Sequence, residues 1–232
     1  AAGARALGLA LAPEQLEQFA RYQAELLDWN TRVNLTGIRD PAEIQVKHFL
    51  DSLTCLAALP PGPLTLIDVG SGAGFPGLPL KLARPELSVT LLEATGKKAD
   101  FLRHIVAQLE LSGVRVIQAR AEEAGQDPAE RERYDWAVAR AVAELRVLAE
   151  YLLPFVRVGG HALAQKGRDA EAEAEDAAGA LAQLGGRLVS VQPVTLPGAE
   201  ARALVIVAKE THTPRAFPRR PGVPAKKPLG AG

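Results

Sequence analysis

The chain is poor in the residues that staple, oxidise or anchor a protein. Among 232 residues there is one cysteine, Cys55, and no methionine. A lone cysteine excludes an internal disulfide and a cysteine metal cluster, and a cytoplasmic setting is expected from it. Without methionine, Ala1 is not an initiator residue, and trimming at the start of the chain is expected. No apolar run approaches the roughly 20 residues that cross a bilayer, so no membrane span is expected. Residues 1–12 likewise lack the apolar core of a secretory signal. Asparagine occurs only at Asn30 and Asn34, whereas proline occurs 17 times. Depletion of thermolabile residues is a thermophile tendency, but a GC-rich genome would also favour Ala, Arg, Gly and Pro.

Surplus charge is missing too. Basic and acidic residues number 27 each, so net charge says nothing about a nucleic-acid partner, although its distribution does. From Thr211 to Gly232 there is no acid, while Arg215, Arg219, Arg220, Lys226 and Lys227 are basic. The run Asp169–Asp176 is the acidic counterweight. Such asymmetry marks the C-terminal end either as an anion-binding site or as a solvated tail. With 47% apolar and 23% charged residues, the composition is that of an ordinary globular chain. Its length suits one domain with an elaborated end.

Two helical stretches come first. From Pro13 to about Leu35, apolar residues recur at three- and four-residue spacings, as on an amphipathic helix. Asp40-Pro41-Ala42-Glu43 reads as an N-cap, a first-turn proline and a capping-box acid. The helix it opens should stop at Pro60-Pro61-Gly62-Pro63. Beyond that point the period changes. Strand-like runs at Leu64–Val69, Val89–Glu93, Val114–Gln118, Trp136–Ala139 and His161–Gln165 alternate with helical segments near Leu78–Ala83, Lys97–Glu110, Glu144–Val156 and Ala170–Leu184. That alternation predicts a parallel sheet covered on both faces. Arg187–Leu196 and Arg202–Lys209 are joined by Pro197-Gly198-Ala199-Glu200. No crossover helix fits there, so the pair must form an antiparallel hairpin. Seven strands in this order define a class I, Rossmann-like methyltransferase sheet and not a dinucleotide domain of two equal halves. The expected division is a helical extension over 1–60, a cofactor-binding domain over 61–210 and a basic, Pro-rich tail over 211–232.

The sharpest motif is Asp68-Val69-Gly70-Ser71-Gly72-Ala73-Gly74-Phe75-Pro76-Gly77, where the first strand hands over to a helix. Glycines there permit a tight turn and a close backbone approach to a ligand. Gly72, Gly74 and Gly77 also satisfy a dinucleotide pattern, and Glu93 ends the next strand as a ribose-binding acid should. A nicotinamide enzyme therefore stays open on these residues alone. Asp68 favours a methyltransferase, because an acid two residues before the first glycine suits the cationic methionine end of S-adenosylmethionine. Glu93 can accept from both ribose hydroxyls. Ala121 and Glu122, beyond the third strand, would lie beside the adenine, although Glu122 could equally be an exposed loop acid.

Taken together, the motifs resemble the glucose-inhibited division protein B family, the bacterial 16S rRNA guanine-N7 methyltransferases. The resemblance spans nearly the whole chain. It rests on Trp29-Asn30, Val33-Asn34-Leu35-Thr36, His48-Phe49-Leu50-Asp51-Ser52-Leu53, the glycine loop through Pro79, Gly96–Leu102, Arg120-Ala121-Glu122, Ala139-Arg140-Ala141, Lys166-Gly167 and Pro218–Leu229. It implies methyl transfer to N7 of a guanine in the decoding-region loop of small-subunit rRNA, with cofactor contacts at Gly70, Phe75, Glu93, Ala121, Glu122 and Arg140. Glu93-Ala94-Thr95 departs from the family's usual acid or small polar run ending in serine.

The chemistry agrees with this resemblance. Guanine N7 has a lone pair and no proton, so transfer needs alignment and no general base. The Asp/Asn-Pro-Pro-aromatic motif of exocyclic-amine methyltransferases is missing, and Ala139-Arg140-Ala141-Val142 stands in its place. Arg140, at the end of the fourth strand, is expected on the cofactor or a phosphate, with a salt bridge to Glu144 as the plain structural alternative. Asn34 and His48 are candidates for the substrate mouth. Lys97, Lys98 and Arg103, with the tail cations, are candidates for phosphate contacts. His104, His161 and His212 form no ligand spacing, and no metal is expected. A monomer acting on the small ribosomal subunit follows from this reading. Two rivals remain at this stage: a small-molecule methyltransferase, and a non-catalytic rRNA-binding assembly factor, which would not need an intact acid–glycine–acid site.

Overall fold

The computed structural model describes residues 1–140 and 143–230. Ala141 and Val142, part of the segment read above after the fourth strand, lie outside the described residues. Helices α1 (Ala2–Ala6) and α2 (Pro13–Asn30) open the chain. Pro13 starts α2 at a position where no N–H is needed, and Gln15 Oε1 accepts from Ala12 N at 2.8 Å. The helix buries Phe19, Tyr22 and Leu26 along one stripe. It ends at Asn30, short of the expected Leu35, because the Asn30 side chain offers the backbone another partner. Asn30 Oδ1 accepts from Leu35 N at 2.8 Å and Thr36 N at 3.0 Å, and Nδ2 donates to Thr36 O at 2.9 Å.

Asp40 caps α3 (Pro41–Ile44), with Oδ1 accepting from Glu43 N at 2.9 Å. A π-helical turn (Gln45–Leu50), α4 (Asp51–Leu53) and a 3-10 turn (Thr54–Ala57) then continue the same rod toward Pro60. The capped start and the stop match expectation. The π turn does not, and it falls on the segment that carries His48.

The sheet follows. It comprises β1 (Thr65–Val69), β2 (Ser88–Glu93), β3 (Val114–Gln118), β4 (Tyr134–Arg140), β5 (Val156–Lys166), β6 (Gly186–Val194) and β7 (Arg202–Lys209). Between the strands lie α5 (Gly77–Ala83), α6 (Gly96–Gln108), α7 (Ala121–Ala124), α8 (Leu145–Leu152), α9 (Ala170–Asp176) and α10 (Ala178–Gln183), and α11 (Val223–Lys226) sits in the C-terminal segment. Spatial order is β3-β2-β1-β4-β5-β7-β6. The first five strands pair in parallel, and β7 is antiparallel to both β5 and β6. The terminal hairpin is therefore as expected. α8 ends before its expected Val156 because Pro154 cannot continue a helix, which frees Val156 to begin β5. Strand β6 is an edge. It is bulged between Leu188 and Ser190 and contains Pro193.

Side-chain alternation sorts the core onto two faces. Leu66, Trp136, Val138 and Leu163 join the cluster under the N-terminal helices with Tyr22, Phe49 and Phe101. Ile67, Val69, Ala137, Ala139 and Ala164 join the opposite cluster under α8 to α10. By the same alternation Asp68, Arg140 and Gln165 point to the N-terminal layer. After β3 the chain returns across β1 to build β4, so the strand order reverses between β1 and β4. Ligands of open parallel sheets collect at the carboxyl ends of strands at such a reversal.

Candidate active site

The glycine loop runs from the carboxyl end of β1 into α5. Gly70 (φ 74°), Gly72 (φ 58°) and Gly74 (φ 100°) all adopt left-handed backbone. At Gly74 a Cβ would also come within 2.6 Å of the Tyr22 hydroxyl and 2.5 Å of Leu78. The loop is pinned to β2, since Gly70 N and Ser71 N donate to Leu92 O at 2.8 and 3.1 Å. From the N-terminal layer, the buried Tyr22 hydroxyl donates to Ala73 O.

Asp68 is wholly buried at the base of this loop. Its Oδ2 accepts from Gly77 N at 2.9 Å, while its Oδ1 has no partner. Burial pushes its carboxyl up to about 7, against the lowering effect of the Gly77 N–H and of Arg140. A buried acceptor left empty costs about 1–3 kcal/mol, and a cationic group beside Oδ1 would remove that cost. Glu93, at the end of β2, accepts from Gly72 N at 2.9 Å and Thr95 N at 2.7 Å, one bond on each oxygen. Each oxygen keeps a lone pair for a hydroxyl. These residues fit S-adenosylmethionine, with an unpartnered carboxyl oxygen that an ammonium would ionise and pair with, a carboxylate for a ribose and backbone bent for close approach.

Over the loop, Phe75 sits in an aromatic and cationic stack. Its ring lies 4.6 Å from His48 at 23° and 5.5 Å from Tyr22 at 19°. The Arg140 guanidinium stands 4.8 Å from its centroid. Arg140 is also tied to the N-terminal rod. Its Nη1 donates to Lys47 O at 3.1 Å and Asp51 Oδ2 at 3.2 Å, and its Nη2 lies 3.1 Å from His48 Nδ1. The partner is thus Asp51 and not Glu144, which pairs with Arg146 at 3.5 Å. A guanidinium can only donate, so His48 Nδ1 carries a lone pair, and Lys47 O, 3.2 Å from the same nitrogen, receives no proton from it. His48 Nε2–H then donates to Thr36 Oγ1 at 2.7 Å. Burial and then the Arg140 charge lower His48 to about 4, so the ring is neutral at pH 7.

Asp51 is buried, and its Oδ1 has no hydrogen-bond partner, with Arg202 Nε 3.9 Å away. Burial raises its carboxyl, and Arg140 opposes the rise. Gln165, paired with Arg140 across β4 and β5, donates to Asp51 O at 2.7 Å. Sequence reasoning singled out neither Asp51 nor Tyr22. Asp51 was findable, since it lies three residues after His48 and so shares its helix face. The Tyr22 hydroxyl carried no signal beyond an apolar stripe.

The remaining expected residues are dispersed. Asn34 is exposed in the turn after α2. Lys97 is exposed and Lys98 half-buried at the start of α6, and Arg103 bonds to Asp100 at 2.8 Å. Ala121 opens α7, but the buried Glu122 accepts from Gly222 N of the C-terminal segment at 2.8 Å. Arg215, Arg220, Lys226 and Lys227 are exposed. Arg219 departs from the expectation of a phosphate contact. It makes a fork to the fully buried Glu150, with Nε to Oε1 at 2.9 Å and Nη2 to Oε2 at 2.6 Å. Among the described residues, no three His, Cys, Asp or Glu side chains are grouped to hold a metal. No helix there is long and apolar enough to cross a membrane.

The strand order, the acid-glycine-acid crevice at its reversal and the closing hairpin define a class I methyltransferase. The chain belongs to the GidB family, rRNA small subunit methyltransferase G, whose family model matches residues 15–203. It is 57% identical over 226 residues to the ribosomal RNA small subunit methyltransferase G of Roseiflexus sp. (strain RS-1), covering 97% of each chain. Among solved structures, the fold resembles a SAM dependent methyltransferase from Aquifex aeolicus (TM-score 0.52, 19% identity, 72% of this chain and 93% of that one). It also resembles M. jannaschii TYW2 in complex with AdoMet (TM-score 0.53, 14% identity, 69% and 74%).

Proposed function

We propose that the crevice binds S-adenosylmethionine and presents it to N7 of a guanine in the decoding-region loop of 16S rRNA. The observation that carries the cofactor assignment is Asp68, wholly buried with one oxygen bonded and the other empty, beneath a left-handed glycine loop. Asp68 would hold the ammonium end, Glu93 the ribose hydroxyls, and Gly70, Gly72, Gly74 and Phe75 the floor. Ala121 and Glu122 would flank the adenine. Three segments divide the work: 1–60 walls the substrate side, 61–210 carries the cofactor, and 211–232 carries cations for rRNA.

When bound, the cofactor supplies a sulfonium methyl group. Guanine N7 offers a lone pair and no proton, so this chain's residues have only to align and to exclude water. Their bonding supports that reading. His48 is neutral with its Nδ1 lone pair facing Arg140, and Asp51 and Glu93 are engaged by Arg140 and by backbone N–H groups. Arg140 and Phe75 form a wall on which a base or the cofactor carboxylate can rest, His48 lies against both, and the exposed Asn34 would extend the mouth toward the substrate. The target guanine itself rests on the family resemblance. The exposed Lys97, Arg215, Arg220, Lys226 and Lys227, with the half-buried Lys98, would follow phosphates. Action as a cytoplasmic monomer on the small subunit completes the reading.

The test is transfer of radiolabelled methyl from the cofactor to small-subunit particles and to free rRNA, with nucleoside analysis. Label recovered as 7-methylguanosine, and lost in Asp68→Ala, is the expected result. Label in another nucleoside, or none on either RNA despite cofactor binding, would overturn the assignment.

A further inference from the structure

The C-terminal segment is expected from its charge to be an anion-binding site or a solvated tail. Its inward side does something else. Between β3 and β4 the chain passes through Arg120, α7, Gly125 and Gln126, and α7 carries Ala121 and Glu122, assigned above to the adenine end of the cofactor. The C-terminal segment grips that stretch at several points. Gly222 N donates to Glu122 Oε1 at 2.8 Å. Gln126 Nε2 donates to Pro218 O at 2.8 Å and Arg215 O at 3.3 Å. Pro218 packs so closely on Gly125 that a Cβ there would lie 2.9 Å from its ring. Arg131 Nη1 bridges Gly125 O and Phe217 O, each at 2.8 Å, while its Nη2 donates to Thr213 O at 2.7 Å.

The segment is itself locked to the domain. Phe217 and Leu229 are buried in the cluster under α8 to α10. Arg219 holds Glu150 through its fork and through its backbone N, 2.7 Å from Oε1. Glu150 is fully buried and lies next to Tyr151 on α8. The Tyr151 hydroxyl is pushed up by its burial and then by the charge of Glu122. Glu122, Glu150 and the C-terminal backbone are thus one connected cluster, and α7, a helix of only four residues, is bonded to it through Glu122.

We propose that residues 211–230 form the outer wall of the cofactor site at its adenine end, so that cofactor affinity depends on the C-terminal segment even without RNA. The proposal rests on the placement of adenine at Ala121-Glu122. An isolated four-residue helix has no stability of its own. Its backbone and the Glu122 carboxylate keep their positions because the C-terminal segment holds them, and loosening that segment raises the ordering cost of binding.

Two variants loosen the segment while keeping the fold. Glu150→Gln with Arg219→Gln removes both charges together and leaves no ion buried alone. Gly222→Ala meets no atom within 4 Å and acts only through its left-handed backbone (φ 79°). Calorimetric titration without RNA would use S-adenosylhomocysteine and methylthioadenosine, the second of which lacks the amino-acid end. Circular dichroism would confirm the fold. Both ligands should bind about tenfold more weakly to the double variant, and measurably more weakly to Gly222→Ala. Hydrogen exchange of amides 121–125 should quicken in both. Unchanged binding of both ligands in the folded variants would overturn the proposal, as would weakening for S-adenosylhomocysteine alone. A parallel Glu122→Ala variant separates the premise from the proposal. A loss there with none in the C-terminal variants sinks the wall alone, whereas no loss in any variant sinks the adenine placement as well.

Discussion

At the residue scale, Asp68 and His48 titrate in opposite senses. Asp68 is raised to about 7 from an unfolded value near 4, so the folded chain holds a proton that the unfolded chain has lost. Stability from this group therefore falls as pH rises from about 4 to about 7 and is flat above. His48 is lowered to about 4 from about 6.5, so its contribution rises with pH across about 4 to 6.5. The two slopes oppose each other over most of that window. Asp68→Asn keeps an acceptor for Gly77 N and cannot ionise, leaving the His48 slope exposed. Thermal melts of the cofactor-free protein should show the variant gaining stability over the parent as pH rises from 4.5 to 7. Parallel curves would show that Asp68 titrates normally. Cofactor binding should reverse the order of the two proteins, because an ammonium partner favours the ionised acid that only the parent has.

At the element scale, the turn after α2 deserves a test of its own. Asn30 replaces three backbone partners in one place and so sets where Thr36 meets His48. Asn30→Ala should cost about 1 kcal/mol of stability by leaving partly buried backbone groups unpaired, measured by urea unfolding. It should also weaken methyl transfer more than cofactor binding, because Thr36 holds His48, the residue proposed above for the substrate mouth. Equal losses in both would place the effect on the fold alone.

The same scale shows what a sequence can convey. The strands and their order were legible because buried parallel strands are continuous apolar runs separated by breakers, and the hairpin because its connection is too short for a helix. The glycine loop with Asp68 and Glu93 was legible because only particular residues tolerate that backbone and supply those acceptors. Helix ends were less so. Asn30 reads as one more polar residue until its bonds to Leu35 and Thr36 are seen, and Pro154 was read through although it stops α8. The π turn at Gln45–Leu50 has no local signature, and α1 precedes the first helical stretch read from the sequence, which began at Pro13. The long-range pairs Arg140–Asp51 and Arg219–Glu150 are set by packing between segments far apart in the chain, which no local pattern reports.

At the scale of the whole molecule, equal numbers of acids and bases conceal different placements. Glu122, Glu150 and Glu132 are turned toward the C-terminal segment and hold it, Glu132 through Thr213 N at 2.8 Å. The segment's exposed cations are thereby left facing outward. Binding of small-subunit rRNA should weaken with salt, and the log–log slope should fall by about 0.7 for each single-strand phosphate contact removed. Lys226→Gln with Lys227→Gln should therefore flatten the slope by about 1.4 in filter-binding titrations. An unchanged slope would remove these two lysines from the RNA contact.

The bulge at Leu188/Ser190 and Pro193 bear on how the protein behaves at high concentration. An uncovered sheet edge is a template on which another chain can add a strand, the first step toward fibres and clumps. On β6 the bulge bends the backbone out of line and the proline contributes no amide to the open rim. A second polypeptide meeting this rim finds no regular ladder to continue. At high concentration this rim of the sheet is thereby guarded against strand addition by a second copy of the chain.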